Sequence, residues 1–139
     1  MSREEYPAWS VISTRWSDND IYGHMNNATY YSLFDTVINT HLIGVGGLVI
    51  HEGPVIGVAV ETGCRFHAGL AFPESVDAGL RVGHLGRTSV RYEVALHQSG
   101  VLEPAAEGHF VHVFVDRATR RPVEIPPRLR ACLEALLPG

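Results

Sequence analysis

One helical pattern followed by four strand patterns constrains this fold more than any other feature of the sequence. Apolar residues recur at spacings of three and four from Tyr30 to Leu42, which is typical of one face of an amphipathic helix. Asn27 is a plausible N-cap for this helix, and the glycine-rich stretch 44–47 is expected to end it. Because the apolar stripe needs a partner surface, the helix must pack against a sheet.

Alternation of apolar and polar residues predicts the strands of that sheet. Five runs have this pattern, at residues 9–17, 55–67, 74–86, 87–98 and 105–116. Short connections between consecutive runs favour antiparallel pairing. Residues 126–137 read as a C-terminal helix, with proline tolerated in its first turn. The predicted class is α+β, an antiparallel sheet of about five strands wrapped around one long central helix.

Some of these runs also predict which side chains share a face. In the run 87–98 the apolar face comprises Val90, Tyr92, Val94 and Leu96. In the run 55–67 it comprises Ile56, Val58, Val60, Cys64 and Phe66. Residues 118–125 read as a turn followed by an edge strand or an extended tail.

The bulk composition excludes several classes of protein. The 139 residues have the size of one ordinary domain, and 45% of them are hydrophobic, enough to fill a core. A net charge of −4 argues against non-specific binding to nucleic acid. The two cysteines have no metal-ligand spacing, and no apolar run is long enough to span a membrane. We therefore expect a single domain over residues 1–139, cytoplasmic, with no membrane contact.

The stretch DNDIYGHMNN, residues 18–27, lies between a predicted strand and the predicted helix. A carboxylate such as Asp20 can activate a water molecule or attack a carbonyl carbon directly. The N-terminus of a helix offers free N–H groups and the positive end of a dipole to a developing oxyanion. Gly23 would allow the backbone to approach a ligand closely. These residue types suit the hydrolysis of an ester-like carbonyl.

With its flanks, the stretch RWSDNDIYGHMNNATYYSLFD (15–35) resembles the D-x-D-x-x-G-H-x-N-N-x-x-Y pattern of the 4-hydroxybenzoyl-CoA thioesterase-like acyl-CoA thioesterases, which have the hotdog fold. The segments EGHFVHVFVD and RRPVEIP also resemble the last strands and the ending of that family. The resemblance implies hydrolysis of an acyl-CoA thioester. We expect no cofactor and no metal. The resemblance also implies a homodimer or homotetramer whose active site lies at the subunit interface.

Roles for the motif residues follow from the resemblance. It makes Asp20 the catalytic carboxylate and the backbone N–H of Asn27 the oxyanion donor. One branch of the family has a histidine at the position of Asn27, whereas this chain has His24. We favour a structural role for His24 over general acid or base catalysis, and a structural role for Asp18. A metal site built from the two acids and His24 is disfavoured because no further ligand can be placed.

The phosphates of coenzyme A are expected to meet basic side chains near the mouth of the pocket. The candidate substrate-binding residues are Gly23, Tyr30, Arg65, His67, Arg87, Thr88 and Ser89, with Arg91 as a further cation. Asp35 and Glu61 are rival acids, because another hotdog branch draws its carboxylate from the central helix.

Three alternatives to the thioesterase remain open at this point. The first is a hotdog hydratase or dehydratase acting on acyl thioesters, for which GHMNN supplies a histidine but no convincing acidic partner. A non-catalytic module that binds acyl thioesters is the second alternative. A structural oligomer without a ligand is the third, and the motif disfavours it.

Overall fold

Five antiparallel strands and one long helix dominate residues 3–138, the part of the chain that this computed structural model describes. The strands are β1 (Ala8–Ile12), β2 (Val55–Phe66), β3 (Val76–Leu85), β4 (Ser89–Gln98) and β5 (Ala106–Asp116). The helices are α1 (Asn27–Gly44) and α2 (Pro127–Glu134), with short 3₁₀ turns at Arg3–Glu5 and Trp16–Asp18. The strand order is β1-β3-β4-β5-β2, so β1 and β2 are the edges. The predicted α+β class is confirmed.

The core lies between α1 and one face of the sheet. The helix buries Tyr30, Phe34, Val37, Ile38 and Leu42. The predicted apolar face of β4 packs opposite them, with Val90, Tyr92, Val94 and Leu96 all 0% exposed. Burying a side chain of this size contributes roughly 1.5–3 kcal/mol, so this layer supplies most of the drive to fold.

Gly108 on β5 sets how closely α1 approaches the sheet. A Cβ at this position would overlap the ring of Phe34, which is itself fully buried. Only a residue without a side chain allows the helix to lie this close to the strand.

A histidine is enclosed in the same core. His112 is 3% exposed, and its Nδ1 lies 3.2 Å from the hydroxyl oxygen of Tyr92. Burial lowers the pKa of His112 because the surrounding apolar groups disfavour the charged imidazolium. The neutral ring is therefore the form that suits the folded state.

The predicted single apolar face of β2 is wrong. A β-bulge at Val60 shifts the pairing of β2 with β5, so the alternation reverses there. Cys64 and Phe66 pair with residues on the helix side of β5, whereas Ile56 and Val58 pair with residues on the opposite side. A bulge depends on the partner strand, and the sequence of β2 alone does not reveal it.

The predicted strand over 9–17 ends early, at Ile12. Beyond it the carboxylate of Asp18 accepts a hydrogen bond from the backbone N–H of Arg15, which folds the chain into a 3₁₀ turn. The segment 118–125 contains a turn and a single bridge between Val115 and Pro122, not a strand. The N–H of Asp116 donates to the carbonyl of Arg121 and the N–H of Val123 to the carbonyl of Phe114, and no further bridge follows in the described residues.

The predicted N-cap of α1 is also wrong by one residue. Asn26 has the extended backbone of an N-cap, and its side chain accepts a hydrogen bond from the N–H of Ala28 at 2.9 Å. Asn27 is therefore the first residue of the helix. The glycine-rich stretch ends the helix as expected, at Gly44.

Candidate active site

Asp18 anchors the approach to the motif. Its side chain is 3% exposed and accepts the backbone N–H of Arg15 at 2.7 Å and the Arg15 guanidinium at 2.8 Å. The hydrogen bond to Asp18 raises the pKa of Arg15 above its ordinary value. The backbone carbonyl of Asp18 accepts the N–H of Asn26, 2.9 Å away, which ties the strand exit to the helix start. Both carboxylate oxygens of Asp18 therefore hold Arg15 in the 3₁₀ turn, which is consistent with the structural role favoured from the sequence.

Asp20 opens a tight turn. Its carbonyl accepts the N–H of Gly23 at 3.1 Å, its N–H donates to the carbonyl of His24 at 2.9 Å, and Gly23 has a φ of +84°. The Asp20 Oδ1 atom accepts the N–H of Tyr22 at 2.9 Å. The side chain is half-buried, and its Oδ2 atom has no hydrogen-bond partner among residues 3–138. One carboxylate oxygen therefore holds the turn, and the other is available to a substrate or a water molecule.

The first turn of α1 offers one free donor. Asn26 accepts the N–H of Ala28 with its side chain and the N–H of Thr29 with its carbonyl. The N–H of Asn27 has no hydrogen-bond partner in the described part of the chain, and the residue is exposed. This amide lies at the positive end of an 18-residue helix. It has the properties required of an oxyanion donor.

A loop formed by residues 67–75 braces the motif. The carbonyl of Leu70 accepts the N–H of Met25 at 2.7 Å, and the N–H of Leu70 donates to the hydroxyl of Tyr30 at 3.2 Å. Burial raises the pKa of Tyr30, so this hydroxyl keeps its proton. The ring of His24 lies against Gly69, where an added Cβ would be 2.9 Å from its Cδ2 atom. His24 itself is exposed, and its ring has no hydrogen bond to another residue between 3 and 138.

Arg65 and His67 lie on the face of the sheet opposite α1. They line a charged cavity of about 500 Å³, in which the Nε2 atom of His67 lies 3.0 Å from Glu107 Oε1. The other charged residues that line it are Arg81, Arg91, Glu93 and His109. Most of these are paired with one another, for example Arg81 with Glu93 at 2.8 Å. The sheet separates this cavity from the buried ring of Tyr30.

Arg87, Thr88 and Ser89 lie at the turn between β3 and β4. Arg87 pairs with Glu124 at 2.9 Å, and both are exposed. This turn lies at the start of β4, whereas the loop 67–75 leads into the start of β3, which pairs with the end of β4. The 10 residues of β4, at a rise of about 3.3 Å each, separate these two ends by about 30 Å. Within one chain, the structure does not bring these residues to Asp20.

Another cavity, of about 510 Å³, lies between β1 and the second half of α1. It is mainly apolar, and burial lowers the pKa of His41 on its wall. Asp20 does not line it. No group of three or more potential metal ligands occurs among residues 3–138, and no helix there is long and apolar enough to cross a membrane.

The sequence does not predict that the loop 67–75 packs against the motif, nor that the side chain of Asn19 contacts this loop. Asn19 Oδ1 accepts the N–H of Phe72 at 3.0 Å, across 53 positions of sequence. No local pattern signals such a contact, since it depends on how the loop 67–75 returns to the motif.

Residues 14–133 match the model of the thioesterase-like superfamily. The chain belongs to this superfamily. It is similar to the PA5185 protein of Pseudomonas aeruginosa, at 54% identity and a TM-score of 0.97 over 99% of this chain and 96% of that one. The comparison with curated proteins found no match.

Two more distant structures share the fold. A 1,4-dihydroxy-2-naphthoyl-CoA thioesterase from Synechocystis is 12% identical, with a TM-score of 0.81 over 90% of this chain and 93% of its own. The SAV2348 protein of Staphylococcus aureus, whose structure is a complex with CoA, is 15% identical, with a TM-score of 0.84 over 94% of this chain and 85% of its own. The hotdog fold expected from the motif is confirmed.

Proposed function

We propose that this protein hydrolyses the thioester of an acyl-CoA to a free acid and CoA. Membership of the thioesterase-like superfamily supports this proposal, as do a thioesterase and a CoA complex among the structures with the same fold. The observation that carries it is that two groups within residues 18–27 have no hydrogen-bond partner among residues 3–138. These are the Oδ2 atom of Asp20 and the N–H of Asn27.

In the proposed mechanism, Asp20 supplies the attacking oxygen, either by taking a proton from water or by attacking the carbonyl carbon itself. Negative charge then develops on the carbonyl oxygen, and the Asn27 N–H with the helix dipole stabilises it. When water attacks, the C–S bond breaks as this charge collapses back, and the proton that Asp20 took from the water passes to the leaving CoA sulfur. When Asp20 attacks, CoA leaves as a thiolate that takes a proton from solvent, and water then hydrolyses the mixed anhydride left on Asp20 to release the free acid. Both routes use the same geometry.

We propose that the site is completed by a second copy of the chain in a homodimer or homotetramer. The edge strand β2 exposes Val58, Val60 and Phe66 by 36%, 59% and 45%. An unpaired edge with this much apolar surface favours pairing with another strand. Antiparallel pairing of two β2 strands would place the Phe66 end of one protomer beside the Val55 end of its partner.

Such a dimer would put the partner's turn 86–88 on the same side of the assembly as the Asp20 turn. Arg87, Thr88 and Ser89 are then candidates for binding the CoA of the neighbouring site. Arg65 and His67 remain candidates on the outer face. A cytoplasmic location stays a prediction.

The test is Asp20→Asn, assayed by the release of free thiol from a panel of acyl-CoAs. We expect kcat to fall by at least about 100-fold with an unchanged melting temperature, because the amide neither accepts the proton nor attacks. Asp35→Asn is the matched control: it alters an exposed acid on α1 whose carboxylate, among residues 3–138, accepts a hydrogen bond from Asn39 alone.

Full activity in Asp20→Asn would refute the catalytic assignment. A binding module would bind acyl-CoA without thiol release in the unaltered protein, and a hydratase would change the acyl chain while leaving the thioester intact.

A further inference from the structure

We propose that Asn19 is a positioning residue for this reaction, which holds the Asp20 turn in place through the loop 67–75. The inference rests on the proposed function, because it concerns the same carboxylate. Asn19 is the residue between the two acids of the motif, and its side chain is half-buried. No role for it follows from the D-x-D pattern.

The side chain of Asn19 contacts the loop at one residue, Phe72. Its Oδ1 atom accepts the backbone N–H of Phe72 at 3.0 Å, and its Nδ2 atom lies 3.5 Å from the Phe72 carbonyl oxygen. The first contact has the geometry of an ordinary hydrogen bond, and the second is weak. The ring of Phe72 also meets the ring of Trp16 edge-on, with centroids 6.2 Å apart.

The loop holds the opposite arm of the turn as well. Leu70 bonds to Met25 and to the hydroxyl of Tyr30, where the chain enters α1. Asn19 and Met25 face each other as an isolated β-bridge at the base of the turn. The loop 67–75 therefore bonds to both arms of the turn, through Phe72 to Asn19 and through Leu70 to Met25. In the arm that leads into Asp20, the contact is made by the side chain of Asn19.

The turn itself is exposed beyond this base. Ile21 and Tyr22 are 93% and 82% exposed, so packing does not fix their positions. Backbone hydrogen bonds from Asn26 to Asp18 and from Asp20 to His24 join the two arms to each other, but of the side chains in the first arm it is Asn19 that ties the turn to the loop. Loss of that contact lets the Asp20 turn shift against the loop 67–75. A displacement of about 1 Å between a carboxylate and an oxyanion donor is enough to cost about 100-fold in rate.

Thr14 provides a matched control on the same loop. Its hydroxyl donates to the carbonyl of Glu74 at 2.8 Å, and the residue is buried. Thr14→Val removes this anchor at a point six residues before Asp20. It should lower the melting temperature and leave the Asp20 turn intact.

The experiment is a double-mutant cycle of Asn19→Ala and Asp20→Asn, with thiol release from an acyl-CoA as the readout. We expect Asn19→Ala to lower kcat by about 10- to 100-fold with KM within about 2-fold of normal, and to have no further effect in the Asp20→Asn background. Thr14→Val should keep normal kcat. In amide hydrogen exchange, the N–H of Tyr22 should exchange faster in Asn19→Ala than in Thr14→Val, because Asp20 Oδ1 protects it.

A normal kcat in Asn19→Ala, or an equal loss from it in both backgrounds, would overturn the inference and leave the proposed function standing. A fully active Asp20→Asn would overturn the proposed function, and the inference with it. If Asn19→Ala folds poorly, Asn19→Ser serves as the second variant, since its hydroxyl is too short to reach Phe72 in the same way.

Discussion

Replacing Asn27 by proline removes the proposed oxyanion donor and little else. Asn27 is the first residue of α1, where proline is well tolerated because its N–H would be unpaired in the helix. The preceding residue, Asn26, has φ −60° and ψ 140°, the extended conformation that proline requires of its neighbour. Asn27→Ala is the matched control, since it removes the side chain and keeps the N–H.

The expected loss follows from the number of donors involved. The N–H groups of Ala28 and Thr29 already bond to Asn26, so Asn27 is the one of the first three helix residues whose amide has no partner among residues 3–138. Loss of a single oxyanion donor costs about 2.7–4 kcal/mol, or about 100- to 1,000-fold in kcat. Asn27→Ala should stay within about 3-fold of the unaltered protein, because backbone geometry persists.

The assay is thiol release at saturating acyl-CoA, with circular dichroism to compare the melting temperatures of the two variants. Equal kcat in Asn27→Pro and Asn27→Ala, at equal stability, would refute the role of this amide. A large loss in both variants would assign the function to the side chain instead.

Three further outcomes test the packing, the core histidine and the CoA site. Gly108→Ala should destabilise the fold by about 1–3 kcal/mol in urea unfolding, because its Cβ overlaps the Phe34 ring, whereas Gly44→Ala meets no atom within 4 Å and should be neutral or stabilising. Burial lowers the pKa of His112, so the folded state favours the neutral ring. The stability that this neutral ring contributes is present above the pKa of the unfolded state, near 6.5, and is lost as the pH falls. His112→Gln should therefore lose less stability than the unaltered protein between about pH 7 and 5 in urea unfolding. Arg87→Ala should raise KM several-fold for acyl-CoAs and leave it unchanged for short thioesters that lack the nucleotide; equal effects on both substrates would remove Arg87 from the site.

The sequence predicts the parts of the fold that repeat with a regular period. The stripe of α1 and the alternation of β4 are buried as expected, because each pattern reports the face that meets the core. The bulge at Val60 escapes prediction, since a bulge is a property of two paired strands. The shift of the N-cap to Asn26 reflects a choice between two adjacent asparagines with equal capping chemistry.

In the candidate site, too, the sequence predicts what is local along the chain and does not predict contacts between distant segments. Asp20, Gly23 and the Asn27 amide are local in sequence; Asp20 and Gly23 share one turn, and Asn27 begins the helix that follows. The contact of Asn19 with Phe72 spans 53 positions and has no local signature. Within one chain Arg87 lies far from Asp20, and its proposed role depends on the proposed dimer, whose geometry a single sequence does not define.

The most direct test of the central claim is a crystal structure with an acyl-CoA analogue in which a methylene group replaces the sulfur. We predict that the ketone oxygen lies about 3 Å from the Asn27 nitrogen, with the carboxylate of Asp20 facing the ketone carbon. An analogue bound with its ketone away from the start of α1, and with Asp20 pointing into solvent, would contradict the mechanism.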